Sequence, residues 1–220
     1  MYFQFLVEDK SGSILIEKLM GKLCQSYQAV EYRCKPFKGL GGFKKKATPA
    51  ETKTGKLLND LSIYLKGFDK SLQGIEAAII VVVDNDTRNT EEFRSKLEDV
   101  AAQNDISIEH VFCIAVEEME AWLLGDKDAI KRAYPNAKLS MMKSYQQDSI
   151  CGTWEVLADV VYPGGVRQMK KECQTYMEIG AWKCEWAGKI GEKMRIDENG
   201  SPSFRDFITN IRRRMHALQP

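Results

Sequence analysis

The 220 residues are enough for one substantial domain, or a domain with a small appendage. Apolar residues make up 44% and charged ones 29%, a globular balance, and 32 Lys and Arg against 31 Asp and Glu leave a net charge of +1. No global field therefore pulls the chain onto a polyanion, and any electrostatic footprint must be local. The longest apolar run, Ala77 to Val83, is seven residues, far short of the roughly 20 of a spanning helix. The opening Met1-Tyr-Phe-Gln-Phe-Leu-Val-Glu8 lacks the basic start of a signal peptide. The expectation is a cytoplasmic chain with no membrane partner. Six cysteines form no Cys-x-x-Cys pair, and His110 and His216 have no metal-ligand spacing to them, so reduced, mostly buried thiols are expected. The chemistry then falls to carboxylates.

Tyr2 to Val7 is an apolar run of strand type, followed by helical spacing over Ile14 to Leu23. Ala29 to Phe37 alternates as a strand does, and Lys38 to Thr54 is a loop rich in Gly and Lys. Leu57 to Leu72 returns to helical period. Ile75 to Val83 is β-branched almost throughout, as in a strand covered on both faces of a parallel sheet. Asn89-Thr-Glu-Glu92 reads as a helix start, with Phe93, Leu97, Val100 and Ala101 on its inner face. Ile106 to Val116 is a fourth strand, and Glu117 to Ala133 is predicted as one helix ending before Pro135. This alternation predicts an α/β fold, a Rossmann-like, mostly parallel four-stranded sheet flanked by helices, over residues 1–135. Residues 136–220 are predicted as a helical C-terminal extension packed on it, through Trp154–Tyr162, Val166–Met177, Trp182–Met194 and Phe204–Leu218.

Ligands of open parallel sheets bind at the carboxyl ends of the strands. Glu8, Asp84, Asp86, Glu117 and Glu118 follow directly on strands one, three and four. Alternate strand residues point the same way, so Asp84 and Asp86 of Asp84-Asn-Asp86 are expected to project together. Adjacent carboxylates repel unless a cation neutralises them, and hard oxygen ligands suit Mg²⁺ or Mn²⁺. Glu8 closes strand one and is expected to share that ion.

A strand ending in Val7-Glu8 and a later strand ending in Asp84-Asn-Asp86 resemble the TOPRIM domain of topoisomerases, primases and overcoming-lysogenization-defect nucleases. The similarity is narrower to small stand-alone bacterial TOPRIM-like proteins linked with phage-defence islands. It is carried by Val7-Glu8, Lys38-Gly-Leu-Gly41, Val81-Val-Val-Asp-Asn-Asp86, Ile114-Ala-Val-Glu-Glu-Met-Glu-Ala-Trp-Leu-Leu-Gly-Asp126 and Ser201-Pro-Ser-Phe204. The resemblance implies a TOPRIM fold, with Glu8 as general acid/base or metal ligand and Asp84 and Asp86 holding Mg²⁺. It further implies phage defence, with a partner ATPase as one option. Asp9 stands where the wider pattern has glycine, and Ser11-Gly-Ser13 where it often has a second acid.

Glu117 and Glu120, three apart, are expected on one helix face at the same sheet edge, where they would support a second ion; Glu118 is the weaker choice. The predicted metal set is thus Glu8, Asp84, Asp86 and Glu120. From Arg33 to Lys56 eight cations face one acid, Glu51. Lys38, Lys44, Lys45 and Lys46, among Gly39, Gly41 and Gly42, are expected to contact a phosphate backbone, with Phe37 and Phe43 available for stacking. The expected activity is Mg²⁺-dependent cleavage of DNA or RNA. The alternatives are a non-catalytic subunit binding an ATPase or nucleic acid and, more distantly, a phosphatase resembling the haloacid dehalogenases. In the latter Thr87 arrives one residue early and the motif sits on the third strand.

Overall fold

The computed structural model describes residues 1–27, 29–43 and 54–216. Four strands, β1 (Tyr2–Val7), β2 (Glu31–Pro36), β3 (Ala77–Asp84) and β4 (Glu109–Ala115), form one all-parallel sheet in the order β2-β1-β3-β4. The connections use α1 (Lys10–Leu23), α2 (Leu57–Ser71) and α3 (Thr90–Ala102). Beyond β4 come α4 (Glu120–Leu124), α5 (Lys127–Ala133), α6 (Thr153–Val161), α7 (Gly165–Glu172), α8 (Tyr176–Lys193) and α9 (Pro202–His216). The α/β class with a helical C-terminal part is thus as expected from the sequence.

Strand alternation sorts the core into two layers. Phe3, Phe5 and Val7 of β1, Ala78, Ile80 and Val82 of β3, and Cys113 and Ala115 of β4 pack with α1 and the C-terminal helices. Leu6, Ile79, Val81, Val83, Phe112 and Ile114 pack with α2 and α3. This explains why β3 is apolar at every position from Ala77 to Val83: both of its faces are covered. The C-terminal helices share the larger layer, in which Trp122 stacks on Phe207 (5.0 Å between centroids) and meets Phe204 edge-on. Trp186 is fully buried there, and Trp154 and Trp182 pack partly buried against it.

Helix α8 lies along α1. A Cβ on Gly191 would come within 2.9 Å of Leu15 Cδ1, so glycine permits this approach. Lys22 of α1 donates to the Gly191 and Met194 carbonyls (2.8 and 2.6 Å) at the end of α8, where a cation suits the helix dipole. These interactions fix how far α8 reaches toward the carboxyl end of the sheet.

Two helical expectations differ locally. One helix, α8, runs over Tyr176–Lys193, where the sequence separates Val166–Met177 from Trp182–Met194. Glu117 to Ala133 is not one helix. Glu117 has φ 61°, helical structure begins at Glu120, and Asp126 restarts the chain by accepting from Ala129 N (2.7 Å) as the cap of α5. Asp9 caps α1, accepting from Gly12 N (2.8 Å) and the Ser11 hydroxyl. Asn89 caps α3 as expected, accepting from the Glu91 and Glu92 amides. Arg212 and Arg214 pair with Asp197 and Glu109, and all six cysteines are free.

Candidate functional site

In a parallel sheet of this order the chain leaves β1 toward β2 on one side, while β3 adds on the other. The crevice outside the carboxyl ends of β1 and β3 is therefore the switch point, where ligands of open α/β sheets bind. Glu8 and Asp84 flank it. Register pairs Val7 with Val82, and the Glu8 side chain reaches across to accept from Asp84 N at 3.1 Å. Glu8 N donates to Val82 O, and Glu8 O accepts from Gly39 N (3.0 Å), so the glycine-lysine loop begins directly against this residue.

Burial pushes the Glu8 carboxyl up to about 7; the Asp84 amide opposes this, and Asp86 and Asp9 add to it. Asp84 rises well above the ordinary carboxylate range through burial, then through the charges of Glu8 and Glu120. Glu120, with its side chain 3% exposed, is likewise pushed up by burial to about 7, against the pull of Lys183. Its buried Oε2 is ion-paired with Lys183 Nζ at 3.1 Å.

Lys183 is not legible in the sequence as a site residue. It projects from α8 and also pairs with Glu118 at 3.4 Å, its side chain only 16% exposed. Burial would lower an ammonium, yet Glu120, Glu118, Asp84 and Asp9 together raise it. One signal does exist: Lys183 sits four residues after Ile179 and three before Trp186, on the apolar stripe of its helix.

The expected residues separate into three groups. Glu8, Asp84 and Glu120 come together, joined by Glu118 and Lys183. Asp86 does not project beside Asp84: β3 ends at Asp84, Asp86 takes φ 49°, and its half-exposed carboxylate pairs with Arg88. It remains near enough to raise Glu8. Glu117 turns the other way and accepts from Gly152 N (2.7 Å) and Thr153 N (2.8 Å) at the start of α6. Burial acts upward on it, but those amides and that of Cys151 prevail and hold its carboxyl below the usual range. The helix-face argument for Glu117 fails because no helix spans 117–119. Glu118, the weaker choice by sequence, is the neighbour of Glu120 instead, and it also accepts from Trp154 N at 3.2 Å.

Asn85 between the two aspartates is 1% exposed and ties the two strand exits together. Its Oδ1 accepts from Glu117 N, while Nδ2 donates to Arg88 O (2.9 Å) and Thr90 Oγ1 (2.8 Å). Asn85→Ala should therefore cost about 2–3 kcal/mol in chemical denaturation by leaving these buried groups unpaired. A loss below about 0.5 kcal/mol would show that the clamp is redundant.

Lys38 and Lys56 stand at the rim, Lys56 Nζ donating to Lys38 O and Lys38 N to Gly55 O (2.7 Å). Gly39 and Gly41 have φ 94° and 74°, values that favour glycine. Lys44, Lys45 and Lys46 lie outside the described residues.

Among the described residues no three His, Cys, Asp or Glu side chains are spaced to hold an ion. The donor chemistry nevertheless fits a hard divalent cation. Glu8 and Asp84 are oxygen donors side by side, both raised by burial, while Glu120 is held by Lys183. No helix among the described residues is long and apolar enough to cross a membrane. The chain matches the family described as a domain of unknown function (DUF4276) over residues 7–212. No curated protein and no solved structure matches it.

Proposed function

The chain belongs to the DUF4276 family, and from that premise we propose that it is a divalent-cation-dependent hydrolase of phosphodiester bonds in nucleic acid, of TOPRIM type. The observation that carries this reading is the partly buried Glu8–Asp84 pair at the switch point, joined by a backbone hydrogen bond to a loop of glycines and lysines. Glu8 and Asp84 would hold Mg²⁺ or Mn²⁺. When bound, the ion supplies Lewis-acid polarisation of a phosphoryl oxygen and lowers the pKa of a bound water.

The chain's own residues do the rest. Glu8, with a carboxyl near neutrality, takes a proton from the attacking water or returns one to the leaving oxygen at its free Oε. Lys38 and Lys56 flank Gly39, whose amide donates to Glu8 O, and would draw the phosphate backbone toward that loop. Lys44, Lys45 and Lys46 extend the same run of cations in sequence.

A cleavage assay over single- and double-stranded DNA and RNA, with Mg²⁺ and with Mn²⁺, tests the reading. Turnover that needs the cation and falls with Glu8→Gln supports it. A second reading, a binding subunit without chemistry that engages nucleic acid or an ATPase, draws on the absence of three ion-spaced donors among the described residues. It requires no turnover on any of those substrates.

The lysine run should set affinity and leave chemistry unchanged. Replacing Lys44, Lys45 and Lys46 by Ala is expected to reduce the slope of log affinity against log salt by about 0.7–0.9 for each phosphate that is no longer neutralised. Binding isotherms at four salt concentrations measure it, and an unmoved slope would take the run off the phosphate path.

A further inference from the structure

The carboxyls at this sheet edge form two groups. Glu8 and Asp84 meet at the switch point, joined through the Asp84 amide. Glu118 and Glu120 lie on the α4 side, and the ammonium of Lys183 is 3.4 Å from Glu118 and 3.1 Å from Glu120. Two-ion phosphodiesterases place a cation in each such group. We infer that Lys183 stands where the second cation would bind, so that this site takes a single divalent ion, at Glu8 and Asp84. The inference rests on the phosphodiesterase reading only for that single ion.

Three features of the fold support it. The lysine stem rises from the apolar stripe of α8, between Ile179 and Trp186, so its head is delivered from the core, not from a mobile surface. Helix α8 is held against α1 by the close approach at Gly191 and by Lys22 at its end, which fixes the depth of the ammonium. An unpaired ammonium this deeply buried would be strongly disfavoured, so Glu118 and Glu120 are its partners as much as it is theirs. A divalent ion entering that group would have to displace a cation that cannot diffuse away. Of the other two acids whose charge acts on Lys183, Asp9 is spent on capping α1, and Asp84 stands in the Glu8 group without an ion pair to the lysine. Glu8 and Asp84 feel the charge of Lys183 but form no ion pair with it, which leaves them as the pair open to an ion from solution.

The test counts ions on the full chain, with Mn²⁺ as the probe and free Mn²⁺ followed by electron paramagnetic resonance alongside calorimetry. Wild type and Lys183→Arg are expected to bind one Mn²⁺ per chain, and Lys183→Met two. Two ions on wild type, or no additional ion on a folded Lys183→Met, would overturn the inference. If wild type binds none and Lys183→Met binds one, the lysine keeps its assignment and the phosphodiesterase reading loses its ion; none on either removes both. Should Lys183→Met not fold, Glu118→Gln carries the test. With a lysine in that group, the single ion's affinity stays within about 3-fold and its count at one. A fall in count or a loss of 10-fold or more would mean that Glu118 holds an ion.

Discussion

Glu8→Gln is expected to lower cleavage by about 10²-fold or more while leaving the fold intact. The substitution keeps the size of the side chain and an oxygen to accept from the Asp84 amide, but it removes the charge and the proton-accepting group. The effect on stability has a definite sign. Burial has raised the folded-state pKa of Glu8 to about 7, above its ordinary value of 4.5. A group shifted upward contributes stability that is fully present below about 4.5 and is lost as pH rises through 7. Without divalent ions, wild type should therefore lose stability relative to Glu8→Gln between those two pH values, by on the order of 1–3 kcal/mol. Denaturant melts of both proteins at pH 5 and pH 8 measure the difference. Full activity in Glu8→Gln would remove the proposed acid/base. A stability difference that does not change with pH would show that Glu8 is not held near neutrality.

The parts of this site that are legible in the sequence are those fixed by a strand. Glu8 and Asp84 follow runs whose period and β-branching specify where the strand ends, and the end of a parallel strand specifies where a ligand sits. Asp86 and Glu117 depart from their expected places because both lie just past such an end, where the period-two and period-3.6 rules no longer govern. Each takes a positive φ that no hydrophobic pattern announces. Their backbones are tied to one another, Asp86 N donating to Glu117 O at 3.0 Å, so the two departures are one event. Asn85 enforces that turn from its buried position, and an Asn between two Asp residues gives no hint of this in sequence. Lys183 is hidden for a different reason. It lies 99 residues beyond Asp84 in sequence and reaches the cluster only because α8 packs along α1, a tertiary fact. The split of 117–133 into two helices follows from Asp126, whose side chain caps a new helix where the apolar pattern alone runs on without a break.

The same division predicts which aspartate matters. Asp84→Asn should remove divalent binding, with a loss of Mn²⁺ affinity of at least about 10²-fold, since even partners outside the ligand shell are commonly worth 10–100-fold. Asp86→Asn should cost far less, because that carboxylate is turned to Arg88 at the surface and acts on the site only through its charge. Glu117→Gln should leave Mn²⁺ affinity nearly unchanged and instead lower the melting temperature, since it removes a charged acceptor from the Gly152 and Thr153 amides. Calorimetric titration of the three variants with Mn²⁺, beside their thermal melts, separates the roles. Equal losses of affinity in Asp84→Asn and Asp86→Asn would mean that Asp86 rotates inward when the ion binds, which requires Arg88 to release it. Unchanged affinity in Asp84→Asn would leave the Glu8–Asp84 pair as partly buried acids without an ion, and the binding-subunit reading would then take precedence.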